Sequence, residues 1–131
     1  MAKPIHSMIR VLEEARSVAF YQAAMGLAVK DRYAFDDFTL IYMADAGSTF
    51  ELEMTVNAGR TEPYALGDGY GHLAVAVDDL EQARSRMEAA GAAPGTVREI
   101  QYGGSLLCRF FFVKDPDGYS IEVLQRHGRF G

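Results

Sequence analysis

The feature that most constrains this chain is an internal repeat. Ile5-His6-Ser7-Met8-Ile9-Arg10-Val11 and Gly71-His72-Leu73-Ala74-Val75-Ala76-Val77 are both short segments of alternating character with a histidine near the start. Alternation marks a half-buried strand. A helix is expected after each. The first runs from about Leu12 to Met25, with Leu12, Ala15, Ala19 and Ala23 at helical spacing beside Val18 and Phe20, and stops at Gly26. The second starts at Asp78, with Glu81 three residues on in a capping-box pattern. Its stripe is Leu80, Ala83, Met87 and Ala90, and Gly91 with the following Pro94 marks its end.

Three further strands are predicted in each half: 29–35, 38–43 and 49–57, then 96–101, 106–113 and 119–124. Asp36-Asp37, residues 44–48, Gly103-Gly104 and Asp115-Pro116-Asp117-Gly118 supply the turns. The organisation is β-α-β-β-β twice, repeats 4–58 and 70–125, joined by a linker 59–69 that holds Pro63, Gly67 and Gly69. At 131 residues this reads as one α+β domain, 1–131, with two repeats forming curved mixed sheets around a cleft.

The repeat also aligns chemistry. Side chains alternate across a strand, so His6, Met8 and Arg10 share one face, and His72, Ala74 and Ala76 share another. Glu51, Glu53, Thr55 and Asn57 oppose Phe50, Leu52, Met54 and Val56, and Glu122 opposes Ile121 and Val123. Each apolar face can cover a helix. The other faces carry His6, Glu53, His72 and Glu122. A single strand histidine is usually structural and a single surface glutamate usually solvated. Two of each at matching places in two repeats form a metal-ligand set, because enclosed carboxylates repel unless a cation joins them. Glu51 shares a face with Glu53 and is a rival for the first carboxylate; the repeat alignment favours Glu53.

Composition excludes several classes. The net charge is −5 and the basic residues are scattered, which argues against nucleic acid. Apolar runs are too short for a membrane span, and the start of the chain does not resemble a signal peptide. Cys108 is the only cysteine and lies in an apolar run, as expected of a buried thiol in the reducing cytoplasm. His127, in a polar tail, reads as solvated.

His6-Ser7-Met8-Ile9-Arg10-Val11, Phe20-Tyr21, Met25-Gly26-Leu27, Leu52-Glu53-Met54-Thr55-Val56-Asn57, Tyr70-Gly71-His72-Leu73-Ala74 and Asp115-Pro116-Asp117-Gly118-Tyr119-Ser120-Ile121-Glu122 together resemble the vicinal oxygen chelate superfamily. Within it they are most similar to glyoxalase I, the lactoylglutathione lyases of compact bacterial type. The resemblance implies metal ligands His6, Glu53, His72 and Glu122, with Glu122 as base and Glu53 opposite. It implies substrate contacts from Arg10 and Asn57. Arg10 lies four residues beyond His6 and Asn57 four beyond Glu53, each about 13 Å along a strand, a span that suits a tripeptide conjugate.

The implied reaction isomerises the glutathione–methylglyoxal hemithioacetal to S-lactoylglutathione through an enediolate. The implied metal is nickel or cobalt, with zinc as an alternative, and nickel suits mixed nitrogen and oxygen donors. The implied assembly is a cytoplasmic homodimer whose shared sites take His6 and Glu53 from one subunit and His72 and Glu122 from the other. One departure stands out: Tyr102 precedes Gly103-Gly104 where the family often has a lysine that holds a glutathione carboxylate. Arg98 and Arg109 are the candidate replacements. The rival expectations are a thiol transferase or dioxygenase on the same fold, or a metal-free binding protein.

Overall fold

The computed structural model describes residues 1–131. The chain divides into two compact units, residues 1–65 and 66–131, with the boundary inside the expected linker. In the first unit, β1 (His6–Arg10), α1 (Glu14–Met25), β2 (Ala28–Ala34), β3 (Phe38–Ala44) and β4 (Glu51–Asn57) follow in sequence. They form a four-stranded sheet of order β1-β4-β3-β2. β1 lies parallel to β4, while the other neighbours are antiparallel. The second unit repeats this plan with β5 (Leu73–Val77), α2 (Leu80–Ala89), β6 (Arg98–Tyr102), β7 (Ser105–Lys114) and β8 (Ser120–Gln125), in the order β5-β8-β7-β6. β5 is parallel to β8. The expected α+β architecture of two β-α-β-β-β repeats with mixed sheets is the one observed.

In each unit one sheet face forms the core. Ile9, Ile41, Met43, Leu52 and Met54 are buried in the first unit, with Ser17, Tyr21 and Ala24 of α1. Phe111, Val113, Ile121 and Val123 are buried in the second, with Leu80, Ala83 and Met87 of α2. Burying each large apolar side chain stabilises the fold by about 1.5–3 kcal/mol. The α2 stripe is as expected up to Met87, while Ala90 becomes the exposed helix cap. The α1 stripe is not. Ala15, Ala19 and Ala23 face outward, and Ser17, Tyr21 and Ala24 face the sheet. Tyr21 offers far more apolar area than three methyl groups, so it sets the rotation of the helix.

The helix ends differ in quality. α1 begins at Glu14 rather than Leu12, and Glu13 at its N-cap makes no side-chain cap. α2 is capped by Asp79 rather than Asp78: the Gln82 backbone N–H donates to Asp79 Oδ1 at 3.0 Å. The Asp-x-x-Gln spacing is therefore the working cap, shifted by one residue from the expected Asp78–Glu81. At the other end Gly91, in the left-handed region with φ +86°, donates to Glu88 O while Ala92 donates to Met87 O. This is a Schellman closure. Gly103 and Gly104, at φ +59° and +81°, form the two-residue turn between β6 and β7. Asp115 shapes the turn into β8, since its Oδ1 accepts from the Asp117 and Tyr119 backbone N–H groups, each at 2.9 Å.

Residues 126–129 are exposed, as expected of a polar tail, yet the segment is anchored at its end. It ends in a 3-10 turn, Gly128–Phe130, whose Phe130 packs against Cys108, Phe110 and Leu124. The His127 ring nitrogen lies 3.3 Å from the Leu106 carbonyl oxygen. No helix is long and apolar enough to cross a membrane.

Candidate metal centre

The sheet face turned away from the helix carries the candidate site in each unit. In the first, Met8 and Tyr42 flank Glu53 in register, and His6 lies two residues before Met8. In the second, Ala74 and Phe112 flank Glu122, and His72 lies two residues before Ala74. The offsets are identical, so the two units place imidazole and carboxylate alike. His6 Nε2 is 3.1 Å from Glu53 Oε2. His72 Nε2 is 3.5 Å from Glu122 Oε1. His72 stands just ahead of β5 instead of within it, because β5 begins at Leu73.

The register also separates Glu53 from Glu51. Glu51 is the direct neighbour of His6 on the adjoining strand. Yet it is Glu53 that the His6 ring reaches. Both glutamates of the pairs are largely enclosed, with side chains 12% exposed for Glu53 and 19% for Glu122, while the imidazoles stay accessible. Each pair presents one imidazole nitrogen and one carboxylate oxygen. That donor chemistry fits a divalent nickel, cobalt or zinc ion. Each pair supplies two donors, and no group of three or more His, Cys, Asp or Glu side chains within the chain is arranged to hold a metal.

Two aromatic residues that sequence reasoning did not single out complete the pairs. The Tyr42 ring packs edge-on to His6 with centroids 5.7 Å apart, and Phe112 packs edge-on to His72 at 5.2 Å. The signal was present, since Tyr42 and Phe112 occupy matching places in the two repeats. The neighbouring Glu53 carboxylate, with burial, pushes the Tyr42 phenol up to about 12. Phe112 has no hydroxyl to offer Glu122.

The predicted substrate contacts lie on the same face of the first unit. Arg10 is exposed and pairs in register with Thr55. Asn57 sits at the end of β4, and the Tyr64 hydroxyl donates to its Oδ1 at 3.0 Å. This engages the oxygen edge of the Asn57 amide, whose other edge carries its N–H donors. Tyr64 lies in the linker and was also missed. Arg60 stacks over the Tyr64 ring at 4.2 Å and steadies it.

The two candidate replacements for the family lysine part company. Arg109 is bound to Glu99 at 3.1 Å and to Glu81 of α2 at 3.2 Å, on the helix side of the sheet. Arg98 is exposed and pairs in register with Phe110, so it shares the face that bears Phe112 and Glu122. Cys108 is buried, and burial together with the charge of Glu122 pushes its thiol up, which suits an inert core residue.

Comparison with known proteins agrees with this fold. Lactoylglutathione lyase of Neisseria meningitidis serogroup A is 37% identical over 129 residues, covering 93% of this chain and 89% of that protein. The structure of the trypanothione-dependent glyoxalase I of Leishmania major is 32% identical with a TM-score of 0.77, covering 95% of this chain and 87% of that one. Glyoxalase I of Zea mays superposes with a TM-score of 0.85 at 26% identity, covering 96% of this chain and 45% of that longer one. Residues 3–123 match the Glyoxalase/Bleomycin resistance protein/Dioxygenase superfamily, and the chain belongs to that family.

Proposed function

We propose that this protein isomerises the hemithioacetal of glutathione and methylglyoxal to S-lactoylglutathione, using one divalent metal held by His6, Glu53, His72 and Glu122. The observation that carries this reading is the duplicated pair: an imidazole and a carboxylate within 3.1 Å and 3.5 Å at equivalent places of two repeats. Each pair offers two donors, and in this reading a second copy of the chain completes each centre. His6 and Glu53 come from one subunit, His72 and Glu122 from its partner, in a cytoplasmic homodimer. Nickel or cobalt is the preferred ion for two nitrogen and two oxygen donors, with zinc the alternative.

When bound, the ion supplies Lewis acidity for the negative charge that develops on the two adjacent substrate oxygens. Glu122 removes the proton from one carbon and returns it to the neighbouring carbon, so substrate and product are isomers and no co-reactant is consumed. Glu53 stands opposite. Arg10 and the amide of Asn57 hold the peptide part of the thiol, and Arg98 supplies the cation that the family lysine provides elsewhere. The test is thioester formation from methylglyoxal and glutathione with nickel, cobalt or zinc added to metal-free protein. Turnover with nickel or cobalt supports the reading; metal binding without thioester formation sinks it. Mixing inactive His6→Ala chains with inactive His72→Ala chains tests the shared site. Recovery of activity in mixed dimers is expected, and none would show that each chain builds its own centre.

A further inference from the structure

The loop that follows β4 closes back onto the last residue of that strand. The Tyr64 hydroxyl donates to Asn57 Oδ1 at 3.0 Å. Tyr64 is itself held by Arg60. The Arg60 guanidinium donates from Nε to Glu62 O at 2.6 Å and from Nη2 to Pro63 O at 3.0 Å, and its Cζ lies 4.2 Å from the centroid of the Tyr64 ring. Those carbonyls belong to the two residues that precede Tyr64, so one planar fork sets both the backbone that carries the ring and the plane of the ring. A tight turn brings Arg60 there: its backbone N–H donates to Asn57 O at 3.3 Å, and Gly59 takes the left-handed φ of +76°. The start of the loop is anchored too, because the Ala58 N–H donates to Asp37 O at 3.0 Å. Resting on the reading above, we propose that Tyr64, held by Arg60, is a positioning residue that turns the Asn57 amide so that its N–H edge, and not its oxygen, meets an acceptor group on the peptide part of the thiol substrate.

The physical reason is that an amide is ambivalent. Its terminal torsion is roughly two-fold, so an untethered Asn57 would offer oxygen or N–H with similar ease. A hydroxyl that donates to Oδ1 removes that choice. The N–H edge is then the one left for a ligand, and a carboxylate or carbonyl is what it recognises. The orientation is fixed before the ligand arrives, so binding no longer carries the cost of ordering the side chain.

The experiment titrates the full-length, nickel-loaded protein with S-hexylglutathione, a thioether that cannot turn over, by calorimetry, and measures kcat and KM for thioester formation. Ordering one such side chain in advance contributes about 2- to 10-fold in affinity. Tyr64→Phe, which keeps the ring and loses the hydroxyl, should weaken binding of the thioether and raise KM by about that factor while kcat holds. In an Asn57→Ala background the same exchange should change nothing, whereas a loop that serves stability alone would show its effect in both backgrounds. Arg60→Lys, which keeps the charge and loses the fork, should behave as Tyr64→Phe does; parental binding there would overturn the part given to Arg60. Asn57→Asp keeps an oxygen for Tyr64 but has no N–H, and should bind the thioether at least as poorly as Asn57→Ala; parental binding would mean that the ligand meets the oxygen edge. If wild-type protein forms thioester but Tyr64→Phe keeps parental affinity and KM, the positioning role is wrong and the function stands. If the thioether binds with the expected dependence on Tyr64 but no metal supports thioester formation, the positioning role stands and the reaction is wrong. If wild-type protein does not bind the thioether, both fall.

Discussion

The two units share a register, a helix and a His–Glu pair, yet they differ in the residues around that pair. At the place of Arg10 in the first unit, the second has Ala76. At the place of Asn57 it has Arg126, which is bound to Asp78 at 2.8 Å instead of facing a ligand. The open face of the first unit carries Arg10, Asn57 and exposed aromatics, Tyr33 and Phe35 among them. The matching face of the second is partly covered by its own C-terminal turn through Phe130. A duplicated scaffold thus fixes where the two His–Glu pairs sit, while on the proposed function the unmatched residues decide which half binds and which half reacts.

The largest effect should come from breaking the reactive half. Glu122→Gln should lower kcat by about 10²–10⁴-fold, the usual cost of losing a general base, in a steady-state assay with saturating nickel. A Glu122→Gln enzyme with parental turnover would place the base elsewhere. The binding half should fail differently. Arg10→Ala or Asn57→Ala should raise KM by about 10-fold or more, as expected for a lost charge-assisted hydrogen bond of 1.5–3 kcal/mol, with little change in kcat. Arg126→Ala, at the equivalent place in the second unit, should leave KM alone.

The helices sharpen the comparison on a smaller scale. Removing the Asp79 cap with Asp79→Ala should cost about 1 kcal/mol in denaturant unfolding. Glu13→Ala, at the uncapped start of α1, should cost much less. Smallest is the ion pair that links α1 to β2: Arg32 Nε donates to Glu14 Oε2 at 2.7 Å, and this holds the Glu14 carboxyl below its ordinary value of 4.5. A carboxylate depressed in the folded state stabilises above its unfolded value and loses that contribution as pH falls through the lowered folded value. The stability gap between Arg32→Ala and the parent should therefore be small near neutrality and close in acid, as followed by thermal unfolding at several pH values.

Much of this was legible in the chain itself. Alternation placed His6 and Glu53 on one face, and the repeat matched Glu53 with Glu122 before any register was known. The strands and turns followed from local patterns. What sequence misjudged is what packing decides. The alanines of α1 fit a helical period but lost the core to Tyr21, and the cap of α2 moved by one residue to Asp79. Tyr42 and Tyr64 escaped notice because their roles depend on cross-strand and loop partners, which spacing along one strand does not reveal. Arg98 and Arg109 were indistinguishable until the sheet gave them opposite faces.

Anomalous diffraction from crystals of the nickel-loaded protein tests the centre most directly. One nickel per site is expected, bonded to His6 and Glu53 of one subunit and to the equivalent pair of the second repeat, His72 and Glu122, of its partner. Nickel bound to one pair alone, or lodged away from these four side chains, would contradict it.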